Sequence, residues 1–131
     1  MTKEQRVEIK NLLSSYKTMK GQIKCIDYEI ELLKGHIEFL KGLRHTDSSI
    51  IESNNEIEHK RGIKNRLEGY INSIDKTLNE LNNTERKIVE LRYLEGKKHT
   101  WKEIGNIVVY SSDYCRKEML DRILFKMFSQ L

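Results

Sequence analysis

The sequence predicts an all-α protein: a long antiparallel helical hairpin, or coiled-coil arm, followed by a C-terminal helix-turn-helix. Three observations carry this. Apolar residues recur at alternating spacings of three and four from Ile9 to Leu40. The 131 residues contain no proline, so no backbone donor is lost inside a long helix. Residues 83–131 then change to shorter amphipathic segments, each preceded by an Asn, Thr or Ser that suits a helix cap. The expected division is a helical arm over 1–82 and a helix-turn-helix module over 83–131.

The arm is justified position by position. Ile9, Tyr16, Ile23, Ile30 and Ile37 fall at heptad position a, and Leu12, Met19, Ile26, Leu33 and Leu40 at d. Gly21, Gly35 and Gly42 all fall at f, where the missing side chain sacrifices no packing. The stretch GLRHTDSSI, residues 42–50, reads as a turn with caps for the next helix. In that helix Ile57, Leu67, Ile71, Ile74, Leu78 and Leu81 resume the rhythm, Lys60 and Lys64 interrupt it, and Gly62 and Gly69 return to f. A short connection makes the two helices fold back on each other.

Cys25, Leu32 and Phe39 form an additional apolar stripe at c, and Ile63 and Tyr70 one at g. A two-helix hairpin needs one stripe per helix. The surplus predicts a homodimer through the arm, a four-helix bundle about a two-fold axis, or else packing on the C-terminal module.

In that module Asn83 or Thr84 caps a helix whose buried face is Ile88, Leu91 and Leu94, and Gly96 ends it. Thr100 caps a short helix from Trp101 to about Val108, with Gly105 placed where a following helix would cross closely. After Val109-Tyr110, Ser111 or Ser112 caps the last helix, and Asp113 suits its positive end. Its inner face is Cys115, Met119, Ile123 and Met127, widened by Leu120 and Leu124. Helix, tight link, helix is the arrangement that lays its second helix in the DNA major groove.

The charge balance agrees weakly. Residues 1–82 hold 14 Lys and Arg against 13 Asp and Glu, and residues 83–131 hold 10 against 7, so the excess sits mostly in the module. No apolar run spans a membrane, MTKEQRVEIK has no signal-peptide core, and Cys25 and Cys115 lack a CxxC spacing; a cytoplasmic protein is expected. The histidines have no metal-ligand spacing, and no nucleophile motif or phosphate loop occurs. A non-enzyme without metal or cofactor is the expectation.

The run ERKIVELRYLEGKKHTWKEIGNIVVYSSDYCRKEML resembles region 4 of bacterial sigma factors, the domain that reads the −35 promoter element. Its carriers are Glu85-Arg86, Leu91-Arg92-Tyr93, and the series Thr100, Glu103, Ile104, Gly105. Nothing resembles the region that binds and melts the −10 element. A helical arm with such a terminal unit is similar to small phage-encoded transcription regulators of the ArpU and RinA late-gene activator type. The resemblance implies double-stranded DNA as partner, RNA polymerase as a candidate further partner, and DNA contacts at Ser111, Ser112, Asp113, Tyr114, Arg116 and Lys117. Two departures stand out. Val109 occupies the place of a usual turn glycine, and Ser112 a place often held by Arg, so the target need not be a standard −35 element.

Each candidate has a plainer alternative. Arg116 and Lys117 suit guanine and phosphate, or form a solvated face. Ser111 and Ser112 hold a phosphate, or only cap. Asp113 accepts from cytosine, or favours the helix dipole; Tyr114 contacts sugar or a thymine methyl, or is an exposed aromatic. Lys98, Thr100 and Lys102, with Lys97 and His99, lie where DNA backbone would pass. Trp101 reads as core, and Arg86 and Arg92 as touching phosphate or, preferably, making intrahelical pairs. The competing function is a phage terminase small-subunit-like protein that recognises DNA for packaging, since such proteins also join a helix-turn-helix to an oligomerising region. A coiled-coil adaptor without a DNA role is the third.

Overall fold

The computed structural model describes residues 1–43 and 47–130, and every regular element among them is helical. In order these are α1 (Lys3–Ser14), α2 (Tyr16–Gly42), α3 (Asp47–Leu78), α4 (Asn83–Val89), α5 (Trp101–Val108) and α6 (Leu120–Gln130). A π-helical turn, Glu90–Leu94, prolongs α4, and a second, Tyr114–Met119, leads into α6. Of the turn expected at 42–50, residues 44–46 lie outside the described residues; α3 begins at Asp47, inside the expected capping cluster.

The expected first helix is broken. Ser15 takes a turn conformation and its hydroxyl donates to the Leu12 carbonyl at 2.7 Å. This side-chain bond competes with the helix ladder at that carbonyl. Just before the break one buried position moves by a residue, while Ile9, Tyr16 and Met19 keep theirs. Leu13 is fully buried, whereas Leu12, expected in the seam, is only half-buried.

Two compact units result: Met1–Thr18 together with the chain from Ile71 onward, and Met19–Tyr70. This grouping differs from a division at 82/83 because α1 packs on the π-helical turn after α4 and on α6.

The Met19–Tyr70 unit consists of most of α2 and α3. Its core is Ile26, Ile30, Ile37 and Ile57, with Leu33, Ile50, Ile63 and Leu67 against it. Ile63, read above as a surplus stripe, therefore packs within the unit. The lysines that interrupt the seam reach across it, Lys60 to Glu29 at 2.7 Å and Lys64 to Asp27 at 2.5 Å. Higher positions on α3 thus meet lower positions on α2. These pairs raise the pKa of both lysines, chiefly through the hydrogen bonds. The c stripe stays uncovered: Leu32 is 56% and Phe39 62% exposed.

The other unit is more tightly closed. Ile74, Ile88, Val89, Ile104, Cys115, Ile123, Leu124 and Met127 are fully buried, as the spacing of the last helix requires. Asn82, one residue before the expected cap, begins α4. Its side chain accepts from Glu85 N while the Glu85 carboxylate accepts from Asn82 N; the Asn-x-x-Glu spacing permits this reciprocal pair at 82 and not at 83 or 84. Glu85 is 3% exposed and also takes Lys126 Nζ at 2.8 and 2.9 Å, tying α4 to α6. Burial alone would raise its pKa, but the Lys126 bond, the Asn82 amide and the Lys126 and Arg122 charges outweigh burial and hold it below the usual carboxylate value. Gly96 ends the π-helical turn at φ 77°, conformational space that suits glycine. Among the described residues no helix is long and apolar enough to cross a membrane.

Candidate nucleic-acid interface

Three local devices build the region around residues 96–119. Thr100 caps α5: its hydroxyl accepts from Glu103 N at 3.2 Å, and the Glu103 carboxylate returns to the Thr100 amide. The bonds from Thr100 hold the Glu103 pKa down. Val109 then takes the left-handed conformation, φ 64° and ψ 42°, to leave α5. A β-branched residue is strained there, so this turn keeps left-handed geometry without its glycine. Finally, Ser111 caps the last helix by accepting from Tyr114 N at 3.1 Å.

Gly105 makes the link this tight. A Cβ at that position would stand 2.6 Å from the Tyr110 carbonyl oxygen and 3.2 Å from Ser112 N. The close approach expected at Gly105 is therefore made by the turn backbone rather than by a crossing helix.

The six residues expected on the last helix open it as a cluster. Asp113 pairs with Arg116 one turn on, at 3.2 Å, and both side chains are at least half exposed. Lys117 is exposed, and Ser112 is half-buried beneath the turn. Tyr114 is exposed but held, with its ring 5.5 Å from that of Tyr110 and its hydroxyl accepting from Arg122 at 3.0 Å. Cys115, between them, is fully buried and its thiol is pushed up by that burial, which leaves it an inert packing group. The π-helical turn begins at Tyr114 and ends at Leu120, whose N–H donates to the Cys115 carbonyl. Such widened turns are frequent at functional sites because they re-aim side chains.

Lys98 and Lys102 are exposed on either side of the Thr100 cap. His99 is held between Glu95 and Glu103, 3.5 and 3.3 Å away. Arg86 and Arg92 make no intrahelical pair among the described residues and serve carbonyls instead. Arg86 Nε donates to Leu78 O, and Arg92 Nη1 to His99 O at 2.8 Å, fixing the 95–99 link. The Arg92 guanidinium also lies 4.7 Å over the Trp101 ring, which is half-buried rather than core.

Sequence reading missed one wall of this region. A cleft of about 440 Å³ is lined by Lys98, Trp101 and Arg116 and, from α1, by Arg6, Lys10 and Asn11. The available signal was the spacing of Arg6 and Lys10, four apart and so on one helix face. Heptad periodicity had assigned that segment to the arm.

No protein-family model, curated protein or solved structure matches this chain.

Proposed function

We propose that this chain is a sequence-specific DNA-binding transcription regulator of phage type. In this reading Trp101–Val108 and the helix capped by Ser111 form a helix-turn-helix. The observation that carries it is the opening of that helix: a Ser-capped N-terminus presenting Asp113, Arg116 and Lys117 to solvent, beside a turn closed on Gly105. Helices enter the major groove by this end, where Arg and Lys reach guanine edges and the free amides meet phosphate.

The α2–α3 pair is the antiparallel arm in this reading. The uncovered Leu32 and Phe39 support dimerisation through it, which would place two reading helices on repeated half-sites. RNA polymerase is a candidate further partner. Recognition of DNA for packaging is the competing use of the same parts; a ring of subunits would favour it and a two-fold dimer disfavours it.

Gel retardation of mixed genomic DNA at low salt tests the reading. The full chain should retard it, and Arg116→Gln/Lys117→Gln should weaken retention strongly. Failure of the full chain to retard any DNA overturns the reading, and undiminished retention by the double variant overturns the residue assignment. Sedimentation of Leu32→Lys/Phe39→Lys should show dissociation to monomers; an unchanged dimer would move the dimer contact elsewhere.

A further inference from the structure

We propose that α1 belongs to the nucleic-acid interface: Arg6 and Lys10, with Lys98 and Arg116, seat the sugar-phosphate backbone of a DNA strand beside the base-reading helix. This rests on the DNA-binding reading and adds to it a contact region from the opposite end of the chain.

Charge is the first support. The cleft wall carries five cations, the four named and Arg92, against one carboxylate, Asp121. With Asp113, which pairs with Arg116 at the rim, counted as a second carboxylate, the region holds a net +3 of the chain's +4. A recess lined by one sign of charge focuses its field on an anion.

Positioning is the second. α1 is fixed independently of any ligand: Thr2 and Gln5 cap it reciprocally, Ile9 and Leu13 are buried, and Arg6 is tied to Asp121 at 2.8 Å. Arg92 is likewise held, by His99 O and Trp101. Arg92 acts as a fixed positive charge, whereas the charge of Arg6 is largely balanced by Asp121. Lys10 and Lys98 have no ion pair among the described residues, and a lysine on its flexible stem suits a phosphate as a movable point charge. Asn11 and Ser14 add neutral donors to the same wall.

Location is the third. Lys98 and Arg116 are already parts of the candidate interface, so a strand running past the Thr100 cap toward Arg116 crosses the cleft.

Contacts of this kind position the protein without reading bases, so they should alter salt dependence equally on every sequence. The test is anisotropy of the full chain on random-sequence duplex DNA between about 50 and 200 mM salt. Lys10→Gln should lower the slope of log affinity against log salt by about one, and Lys10→Gln/Lys98→Gln by about two. Lys24→Gln, on the other unit, should leave the slope unchanged, and circular dichroism should show each variant as helical as the parent. Wild-type binding with an unaltered slope in Lys10→Gln overturns this inference and leaves the DNA-binding reading standing. No binding by the wild type at any salt overturns both.

Discussion

The Met19–Tyr70 unit and the unit containing the C-terminal module are both helical, yet they are held by different means. The first relies on one repeating stripe of isoleucines, braced by exposed lysine–carboxylate pairs. Its sequence repeats, so neighbouring registers offer similar contacts, and it leaves an apolar stripe in solvent. The second is closed by contacts that follow no repeat: the reciprocal caps at Asn82–Glu85 and Thr100–Glu103, the Glu85–Lys126 bridge, the gap at Gly105 and the left-handed Val109. Periodic packing gives length and leaves Leu32 and Phe39 in solvent. Contacts that follow no repeat give one geometry, as the proposed base-reading element would need.

The largest effect that can break this contrast is a core truncation. Ile123→Ala, at a fully buried position, should cost about 3–5 kcal/mol, whereas Ile30→Ala should cost about 2, because solvent-flanked side chains relax more readily into the gap. Denaturant titration measures both, and an equal or larger loss at Ile30 would erase the distinction.

Gly105→Ala comes next. The added Cβ meets backbone rather than a mobile side chain, so overpacking should cost about 1–3 kcal/mol. The roughly 1 kcal/mol that Ala gains over Gly in a helix offsets only part of it. A melting temperature at or above wild type would show that the turn yields.

Glu85→Gln sharpens the contrast through pH. The folded pKa of Glu85 is lowered, so its contribution is present above the unfolded value of about 4.3 and is lost as pH falls through the folded value. Half-exposed Lys126 limits the size, and the substitution should cost about 1–2 kcal/mol at pH 7. It should also flatten the acid limb of the stability profile. An acid limb identical to that of the wild type would remove Glu85 from the account.

The smallest expected change is a gain. Val109 is 84% exposed, so Val109→Gly forfeits little packing. It relieves strain of about 1–3 kcal/mol against a glycine entropy cost of roughly 0.5–1, a net gain of about 1. A lower melting temperature would mean that the left-handed turn carries no strain.

What was legible in the sequence follows the same line. Spacing identified the buried faces of α2, α3 and the last helix, because periodicity records which side of a helix avoids water. It did not record what each face meets, so α1 was joined to the arm although it packs on α6. The Ser14-Ser15 break was invisible for a related reason: the heptads run through it unbroken. Thr100 and Ser111 could be read as caps because their chemistry is local. The strain at Val109 was legible only as a missing glycine. The cleft was not legible at all, since Lys10 and Lys98 come together only through tertiary packing.

Selection of bound duplexes from a random-sequence pool by the full chain tests the central claim most directly. The account predicts enrichment of a defined site built from two repeated half-sites, lost with Arg116→Gln/Lys117→Gln. A pool that stays indistinguishable from its input after repeated rounds would contradict it.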